Sequence, residues 1–391
     1  MRRTTSAERP DAIVVGAGII GAACAHALAR DGRRVLVLEA HHAASGATGA
    51  GMGHLVVMDD SPAQLALTAL STAQWRALAP ELPPAVEHDP CGTIWIATDD
   101  SELDVVRAKH RSFAEHAIAS EVLGPLDLAS LEPNLRPGLA GGLLVPGDGV
   151  VNQPRAALWL LDQARAAGAT LREGCRVDRI DAHAVHVGDE VLHAEVIVNA
   201  AGAEAPRLTP ELPIVPRKGY LAITDRYPGF VRHQLVELGY LAHAHTMTSE
   251  SVAFNVQPRA GGQVIVGSSR ELVGWDASLD DRMVRRMIAR ASEFMPSLAA
   301  MQMLRTWIGF RPATPDKLPL IGAWPGVPGL WIAAGHEGLG ITTSLGTAAL
   351  IAALVAGREP PIDASAFAPA RYTPQQSTRA ASASPHSTSA P

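Results

Sequence analysis

The sequence is poor in cysteine, which argues against several classes of protein. Its 391 residues contain three cysteines, Cys24, Cys91 and Cys175, which are single and scattered. They show no metal-ligand spacing, so we expect no bound metal, and their odd number argues against a disulfide scaffold. They also offer no ligand set for an iron–sulfur cluster. This cysteine usage favours a reducing compartment.

Basic charge and long apolar runs are lacking as well. The formal net charge is −6, with 33 Lys and Arg against 39 Asp and Glu, and no basic stripe is apparent. This balance argues against a nucleic-acid partner. There is no run of 18 apolar residues to indicate a transmembrane helix, and the N-terminus, MRRTTSAERPDA, lacks the apolar stretch of a secretory signal. We therefore expect a cytoplasmic protein.

The body of the chain is that of an ordinary folded protein. With 47% apolar residues it can bury one large or two medium domains. The end differs, because residues 368–391 are rich in Pro, Ser and Ala and contain hardly any core-forming residues. We predict that residues 368–391 and residues 1–10 are disordered.

The first forty residues carry the most informative motif. A short apolar strand at 13–15 leads into Gly16, Gly18 and Gly21, then a helix, then a second strand that ends at Glu39. Gly16 permits a tight turn, Gly18 lets a pyrophosphate approach the backbone, and Gly21 allows the helix to pack closely. The helix N-terminus offers N–H groups to the phosphates. Glu39 is placed to accept hydrogen bonds from an adenosine ribose, so the motif predicts a bound dinucleotide.

Two further segments fit the same ligand, although neither separates NAD from FAD. Residues 41–54, HHAASGATGAGMGH, are small and glycine-rich, and could lie flat against an extended dinucleotide. Ser45 and Thr48 would bond phosphate oxygens there; a merely flexible loop is the alternative. The buried strand at 196–198 runs into a turn of small residues that suits a nucleotide-binding edge.

The remaining pattern predicts an α/β fold in two parts. A Rossmann-like dinucleotide-binding domain is interrupted by an inserted, antiparallel, β-rich substrate domain. We assign residues 11–80, 150–210 and 325–360 to the dinucleotide-binding domain. Residues 81–149 and 211–324 form the predicted substrate domain.

Two arginines are candidates for ligand binding. Arg311, in the segment GFRPATPDKLPLIG, lies between Phe310 and Pro312 in apolar surroundings. Its planar fork suits a carboxylate, and a structural ion pair is the alternative. Arg270 follows the short strand 263–266 in QVIVGSSRELVGWD, and three readings stay open: the pocket or its rim, an ion pair with Asp276 or Glu271, or solvent.

These segments together resemble the D-amino-acid oxidase-like family of FAD enzymes, in its glycine and sarcosine oxidase branch. The markers are the glycine motif, AGMG at 50–53, VNAAGAEA, GFRPATPDKLPLIG and AAGHEGLGITTSLGTA. The resemblance implies FAD, held non-covalently, with Val177 near the adenine and the 336–342 turn facing the isoalloxazine ring. The residues expected to bind the cofactor are Gly16, Gly18, Ile19, Ile20, Gly21, Glu39, Ala40, Ser45, Gly46, Thr48, Gly51, Met52, Val177, Ala200, Gly202, His336, Glu337, Gly338, Leu339, Gly340, Ile341 and Thr342.

On the substrate side the resemblance implies that Arg311 binds an amino acid carboxylate. A tyrosine is common in the oxidases where Asn255 stands here. Glu337 is the one strongly charged residue of the HEGLG turn, and either bonds the backbone of its turn or orients a substrate amine or hydroxyl. The candidate substrate-site residues are Arg311, Arg270, Asn255, Met52 and Glu337. The histidines expected to be structural or peripheral are His54, His243, His245 and His336.

The stretch GSSRELVGWD looks like a signature of dye-linked, multi-subunit relatives, among them proline and hydroxyproline dehydrogenases, opine oxidase subunits and hydrogen cyanide synthase. GMGHLVVMDDS is similar to cis-4-hydroxy-D-proline dehydrogenases. This implies FAD-dependent dehydrogenation of the Cα–N bond of D-hydroxyproline or D-proline by a catalytic subunit, with iron–sulfur and second flavoprotein subunits as partners.

Three other functions stay open. One is a glycine or sarcosine oxidase that uses oxygen and produces hydrogen peroxide. Another is an FAD electron-transfer subunit without a substrate of its own. A nicotinamide-dependent dehydrogenase is disfavoured, because no second GxGxxG unit is visible.

Overall fold

The computed structural model describes residues 9–239 and 250–372, which form eight α-helices and nineteen strands. The helices are α1 Ile19–Arg30, α2 Ala47–Ala50, α3 Pro62–Leu78, α4 Asp100–Glu115, α5 Pro125–Leu131, α6 Gln153–Ala166, α7 Asp281–Phe294 and α8 Gly340–Val355. The strands are β1 Ala12–Val15, β2 Val35–Leu38, β3 His54–Leu55, β4 Thr93–Ala97, β5 Glu121–Leu123, β6 Gly141–Val145, β7 Gly149–Val150, β8 Thr170–Arg172, β9 Arg179–Asp181, β10 Ala184–Val187, β11 Glu190–His193, β12 Val196–Asn199, β13 Val215–Thr224, β14 Gln234–Glu237, β15 Glu250–Pro258, β16 Val264–Glu271, β17 Met303–Ala313, β18 Leu320–Ala323 and β19 Leu330–Ala334.

The first sheet has six strands in the order β18-β19-β12-β1-β2-β8, and every pair except β18–β19 is parallel. Helices α1, α6 and α8 share one core cluster with one of its faces, and the small antiparallel sheet β9–β11 packs on the other. Burial on both faces explains why its central strands read as unbroken apolar runs rather than as alternating patterns. This is the mixed α/β architecture that the sequence predicts.

The second sheet has eight strands in the order β17-β13-β16-β15-β14-β4-β6-β5. Its neighbours pair antiparallel except β14 and β4, which are parallel, so it is mixed rather than purely antiparallel as expected. Helix α7 packs on one face through Met283, Met287, Ala291 and Phe294, and its Arg290 pairs with buried Glu237 of β14. The opposite face is therefore free to meet the first sheet.

One expected domain boundary is displaced. The two segments assigned to the substrate domain share the second sheet, but residues 320–323, placed in that domain, form β18 of the first sheet. The reason is local: β18 pairs antiparallel with β19 across a short turn, so both strands extend the same sheet.

The expected disorder at 368–372 is wrong. Arg371 forms an ion pair with Asp316, 2.7 Å from Nε to the carboxylate, and Pro369 is buried. Arg9 likewise donates to the His193 carbonyl. The remaining terminal residues, and His243 and His245, lie outside the described residues.

Within the described part of the chain, one helical stretch, Glu337–Val355, has the length and apolar composition to cross a membrane. It is 56% buried inside the protein and packs against α1 and α3. Burial of this kind is typical of a core helix.

Candidate functional site

The turn between β1 and α1 needs glycine at two positions. Gly16 has φ +103°, and a Cβ there would lie 2.7 Å from the Ala200 carbonyl oxygen. A Cβ on Gly21 would overlap the Gly16 carbonyl oxygen. The turn is therefore tight and the helix lies close to it. A dinucleotide-binding motif requires both features.

The start of α1 is held by a side chain from the following loop. The Ile19 N–H donates to Thr48 Oγ1 at 2.9 Å, and a Cβ on Gly18 would lie 3.1 Å from that oxygen. The hydroxyl of Ser45 donates to the His42 carbonyl at 2.6 Å. Both hydroxyls expected on phosphate oxygens thus already make contacts within the chain. The other N–H groups of the first turn of α1 fit the phosphates better.

Glu39, at the end of β2, is fixed in place by two backbone donors. Its carboxylate accepts from the Ala17 N–H at 2.8 Å and from the His41 N–H at 2.9 Å. A carboxylate has further acceptor capacity beyond these two bonds, which fits the hydroxyls of an adenosine ribose. The Glu39 carbonyl accepts from the Cys175 N–H at 2.8 Å, which ties the segment before Val177 to this edge.

The neighbouring strand ends in the small turn that the sequence indicates. The Ala200 N–H donates to the Val15 carbonyl at 2.9 Å, and Gly202 has φ +57°. Val177 is buried in the same cluster as Val15 and Leu38. The residues expected around the adenosine half of FAD therefore lie next to the glycine turn, at the carboxyl ends of β1, β2 and β12. Their chemistry fits the cofactor.

The segment after α2 lies between the two sheets and is anchored by three side chains. Trp307 Nε1 donates to the Ala50 carbonyl at 3.1 Å, Gln153 to that of Gly51 at 2.8 Å, and Gln257 to that of Met52 at 2.7 Å. Trp307 and Gln257 belong to the second sheet, whereas Gln153 belongs to α6, which packs on the first sheet. The segment is therefore held from both sides. Such anchoring holds residues 50–52 as a rigid backbone wall.

The 336–342 turn meets the same segment. Thr342 Oγ1 donates to the His54 carbonyl at 2.9 Å, and a Cβ on Gly51 would lie 3.1 Å from Ile341 Cδ1. His336 is buried, bonds Thr347 through Nε2 at 3.0 Å, and has its pKa lowered to about 3 by burial. The ring is neutral and its contact is structural, in agreement with the interpretation of this histidine.

Arg311 lies flat against the second sheet. A Cβ on Gly219 of the adjacent strand would lie 2.7 Å from Arg311 Cζ, so the guanidinium occupies the space that a side chain would fill. Its Nη1 donates to the Ser269 carbonyl at 2.9 Å. A Cβ on Gly338 would lie 3.8 Å from Nε, so the group also borders the 336–342 turn. This geometry holds the planar fork where an anion could bind it bidentately.

The Glu337 side chain is 14% exposed and lies next to a cluster of cations. Its carboxylate lies 3.1 Å from Arg217 Nη1 and 3.4 Å from Arg270 Nε. Burial would raise the pKa of Glu337, but Arg270, Arg217, Arg311 and Lys317 together lower it. Glu337 is therefore an ionised partner of two arginines, which neither of its expected roles included.

Two of the three interpretations of Arg270 can be compared with the structure, and the third, a place in the pocket or at its rim, stays a prediction. The strand extends to Glu271 rather than stopping at residue 266, and Arg270 is 8% exposed, so the solvent reading is wrong. Its partner is Glu337 rather than Asp276 or Glu271. Asp276 pairs instead with Lys218 at 3.2 Å.

Met52 and Asn255 lie on the same side of the second sheet. Met52 packs with Leu221 and Ile265, and its sulfur would be 3.1 Å from a Cβ on Gly267. Gly267 pairs directly with Asn255 across β15 and β16. Asn255 is 6% exposed, and its Oδ1 has no hydrogen-bond partner within residues 9–239 and 250–372.

The sequence did not single out Arg217, Gln257 or the position of His54. Arg217 faces Arg311 across β13 and β17, a pairing between segments far apart in the chain. The alternation of side chains along β13, which places Arg217 and Gly219 on one face, is the sequence pattern from which Arg217 could be predicted. His54, expected to be structural or peripheral, is next to the 50–52 wall, and burial lowers its pKa to about 4. In residues 9–239 and 250–372 there is no cluster of three or more metal-ligating side chains.

Comparisons with known proteins agree with this geometry. Residues 11–354 match the family described as FAD dependent oxidoreductase, DAO. The chain is 31% identical to a glycine oxidase of Pseudomonas aeruginosa, over 92% of this chain and 98% of the relative. It is 27% identical to the hydrogen cyanide synthase subunit HcnC of the same organism, over 95% and 99%.

A solved structure agrees as well. The crystal structure of glycine oxidase from Geobacillus kaustophilus superimposes with a TM-score of 0.83 at 29% identity, and the match covers 92% of this chain and 98% of that one. The similarity thus spans both sheets and the segments between them.

Proposed function

We propose, since the chain belongs to the DAO family of FAD-dependent oxidoreductases, that it dehydrogenates the Cα–N bond of cis-4-hydroxy-D-proline or D-proline as the catalytic subunit of a cytoplasmic dehydrogenase. The coarser function is shown by the relatives: the chain is an FAD-dependent amino acid oxidoreductase. The substrate, the acceptor and the location are our proposals.

The observation that carries the proposal is the placement of Arg311. Its guanidinium is held over Gly219 and against the Ser269 carbonyl, beside the 336–342 turn. A carboxylate bound bidentately by this fork would have one orientation, which fixes the direction of the Cα–H bond. A small amino or imino acid is the simplest ligand with that group.

FAD supplies the redox chemistry when it is bound, because it accepts the hydride. The chain would hold it through the N–H groups of α1, Glu39 at the ribose, and the 50–52 wall with the 336–342 turn around the ring. The apolar side chains of Met52, Leu221 and Ile265 exclude water beside the wall.

Proton transfer needs no dedicated base among the described residues near Arg311. Glu337 forms ion pairs with Arg217 and Arg270, and the pKa of its carboxyl group is lowered. It is therefore a weak base. His54 is neutral above about pH 4. We therefore expect the substrate amine to enter in its neutral form and Arg311 to supply the main orienting contact.

The dehydrogenase assignment is supported by the similarity to a subunit of hydrogen cyanide synthase and by the GSSRELVGWD stretch. Because its three cysteines are scattered and offer no ligand set for an iron–sulfur cluster, such a dehydrogenase would pass its electrons to a partner, either an iron–sulfur or a second flavoprotein subunit. A glycine or sarcosine oxidase is the second candidate, favoured by the glycine oxidase relative.

The test is anaerobic reduction of the flavin by a panel of D- and L-amino acids, sarcosine, glycine and the hydroxyproline isomers. We expect bleaching by cis-4-hydroxy-D-proline or D-proline, and faster turnover with an artificial dye than with oxygen. Bleaching by glycine or sarcosine together with rapid hydrogen peroxide formation would establish the oxidase instead. If no amino acid of the panel bleaches the flavin, the proposed substrates are wrong.

A further inference from the structure

A cavity of about 140 Å³ lies beside the ion cluster of Glu337. Arg217, Lys317 and Glu337 line it, together with Thr314, whose hydroxyl donates to the Leu318 carbonyl at 2.9 Å. The rest of its wall is apolar and is formed by Pro213, Val215, Leu272, Ala313 and Pro315. An apolar cavity of about 150 Å³ can hold benzene, so this one has room for a molecule of roughly six non-hydrogen atoms.

The cavity lies on the face of the second sheet that carries Arg311, but farther along the strand. Arg217 pairs directly with Arg311 across β13 and β17. Side chains alternate between faces, so Val215 and Arg217 share a face with Gly219, the residue covered by the Arg311 guanidinium. Four residues separate Gly219 from Val215, or about 13 Å of strand. Arg311 does not line the cavity, and the exposed wall residues Val215 and Pro315 place it at the surface.

The charged end of the cavity carries an excess of positive charge. Arg217 and Arg270 share the Glu337 carboxylate, at 3.1 Å and 3.4 Å. Lys317 adds a third cation. Burial lowers the pKa of Lys317, and repulsion from Arg270 and Arg217 lowers it further. Asp60 and Glu337 act in the opposite direction, but the pKa stays below its ordinary value. Three cations therefore face two carboxylates, which favours the binding of an anion.

The two kinds of wall together indicate the chemistry of the ligand. A carboxylate accepts charge-assisted hydrogen bonds from arginine and lysine. The apolar wall offers no partner to a polar group, so the remainder of the ligand is a short hydrocarbon chain. An inorganic anion would leave that wall uncovered.

We propose that this cavity is a second anion site, separate from the Arg311 fork, which binds a carboxylate with a short apolar chain. The carboxylate lies against Lys317 and Arg217, and the chain lies against Val215 and Leu272. This site does not depend on which amino acid the protein oxidises.

The experiment is calorimetric titration of the FAD-loaded protein with butyrate, acetate, octanoate and uncharged butyramide. Each buried methylene strengthens binding roughly fourfold, so butyrate should bind about tenfold more tightly than acetate. Octanoate should gain little more, because the cavity holds roughly six non-hydrogen atoms. Butyramide should bind much more weakly than butyrate. Absence of butyrate binding, or equal binding of butyramide, would overturn the proposal.

Three variants locate the bound butyrate. Lys317→Met removes a charged donor and should weaken its binding roughly tenfold to a hundredfold. Val215→Phe fills the cavity without changing a charge and should also weaken it. Val191→Phe, at a valine of β11 that is exposed to a similar extent, is the matched control.

Arg311→Lys distinguishes this site from the substrate site. We expect butyrate affinity to change less than twofold in this variant, while FAD content stays the same. A loss in Arg311→Lys as large as that in Lys317→Met would place butyrate at the Arg311 fork and overturn the second site. Unchanged affinity in both Lys317→Met and Val215→Phe would also overturn it. Neither result bears on which amino acid reduces the flavin, so the proposed function is tested separately.

Discussion

At the edge of the first sheet, the groups proposed to hold FAD are mostly glycines and backbone N–H groups, whereas on the second sheet the proposed substrate groups are charged and polar side chains. The glycine turn and Glu39 come from one continuous stretch of chain. The cluster around Glu337 combines strands and a turn that are far apart, with Arg217 and Glu337 separated by 120 residues. The groups for the pyrophosphate and the ribose are therefore local in the sequence, and the substrate groups are assembled by folding.

This contrast has a physical origin. A pyrophosphate is the same in every FAD enzyme and is bound by backbone donors. The sequence motif that binds it therefore varies little. A substrate differs from enzyme to enzyme and is met by side chains on a sheet, where cross-strand neighbours are set by register. Changes in the first region should remove the cofactor, and changes in the second should leave it bound.

The largest effect is expected at the glycine turn. In Gly21→Ala the new Cβ overlaps the Gly16 carbonyl oxygen, so α1 must move away from β1. We expect protein with almost no FAD, measured by flavin absorbance per chain. Gly124→Ala, where the new Cβ makes only an ordinary contact 3.4 Å from Asp127, is the matched control. A fully yellow Gly21→Ala protein would show that the turn tolerates the shift.

Next in size is the ion cluster of the second region. Glu337→Gln removes the carboxylate that buried Arg217 and Arg270 share, and breaking such an ion pair costs roughly 3–5 kcal/mol. Urea unfolding at pH 7 measures it. Glu293→Gln on the exposed side of α7 should cost less than about 1 kcal/mol. A cost as small as that of the control would show that Glu337 is not a structural partner.

The same variant has a defined pH dependence. The pKa of Glu337 is lowered from 4.5 in the folded protein, so its stabilising contribution is present above pH 4.5 and is lost as the pH falls through the folded value. The stability difference between wild type and Glu337→Gln should therefore narrow below pH 4.5. A constant difference down to pH 3 would mean that the carboxylate charge is not what stabilises the cluster.

A smaller effect, confined to turnover, is expected for Arg311→Lys. Replacing the bidentate fork should cost about 1.5–3 kcal/mol, or roughly ten- to a hundredfold in kcat/KM, with FAD retained. Arg305→Lys, at an exposed position on the same strand, is the control. Loss of FAD in Arg311→Lys would break the separation between the two regions, and unchanged kinetics would remove Arg311 from the substrate site.

The smallest effect should come from the cap on α1. Thr48→Val removes the acceptor of the Ile19 N–H and should cost about 1 kcal/mol, or about fivefold in FAD affinity. Titration of FAD into the apoprotein measures it, with Thr72→Val as control because that hydroxyl bonds within its own helix. If FAD affinity is unchanged, the Thr48 contact is not coupled to the phosphate site.

Prediction from the sequence succeeded where neighbours along the chain are also neighbours in space. The glycine turn, the strands around it and the small turn at Ala200 were all indicated by contiguous patterns, because a β–turn–α unit is built from one segment. Ser45 and Thr48 stay predicted contacts of the phosphates, and their hydroxyls also make hydrogen bonds within the chain, to His42 and Ile19. Residue type identified them as polar contacts without identifying the partner.

Prediction failed where pairing across strands decides the contact. For the ion pair of Arg270 the sequence offers the nearby acids Asp276 and Glu271, but the structure pairs it with Glu337, since β16 runs on to Glu271 and carries the side chain toward the 336–342 turn. The boundary at 324 was misplaced, because nothing local distinguishes β18 as a strand of the first sheet.

By itself, then, the sequence determined the dinucleotide motif, the α/β class and Arg311 as a candidate for an anion, because each depends on residue type and short-range spacing. Tertiary structure alone decided that Arg311 lies over Gly219, that Glu337 joins two arginines, and that Asn255 pairs with Gly267. Strand register sets these contacts. Register is fixed by the packing of whole sheets, and no short stretch of sequence contains it.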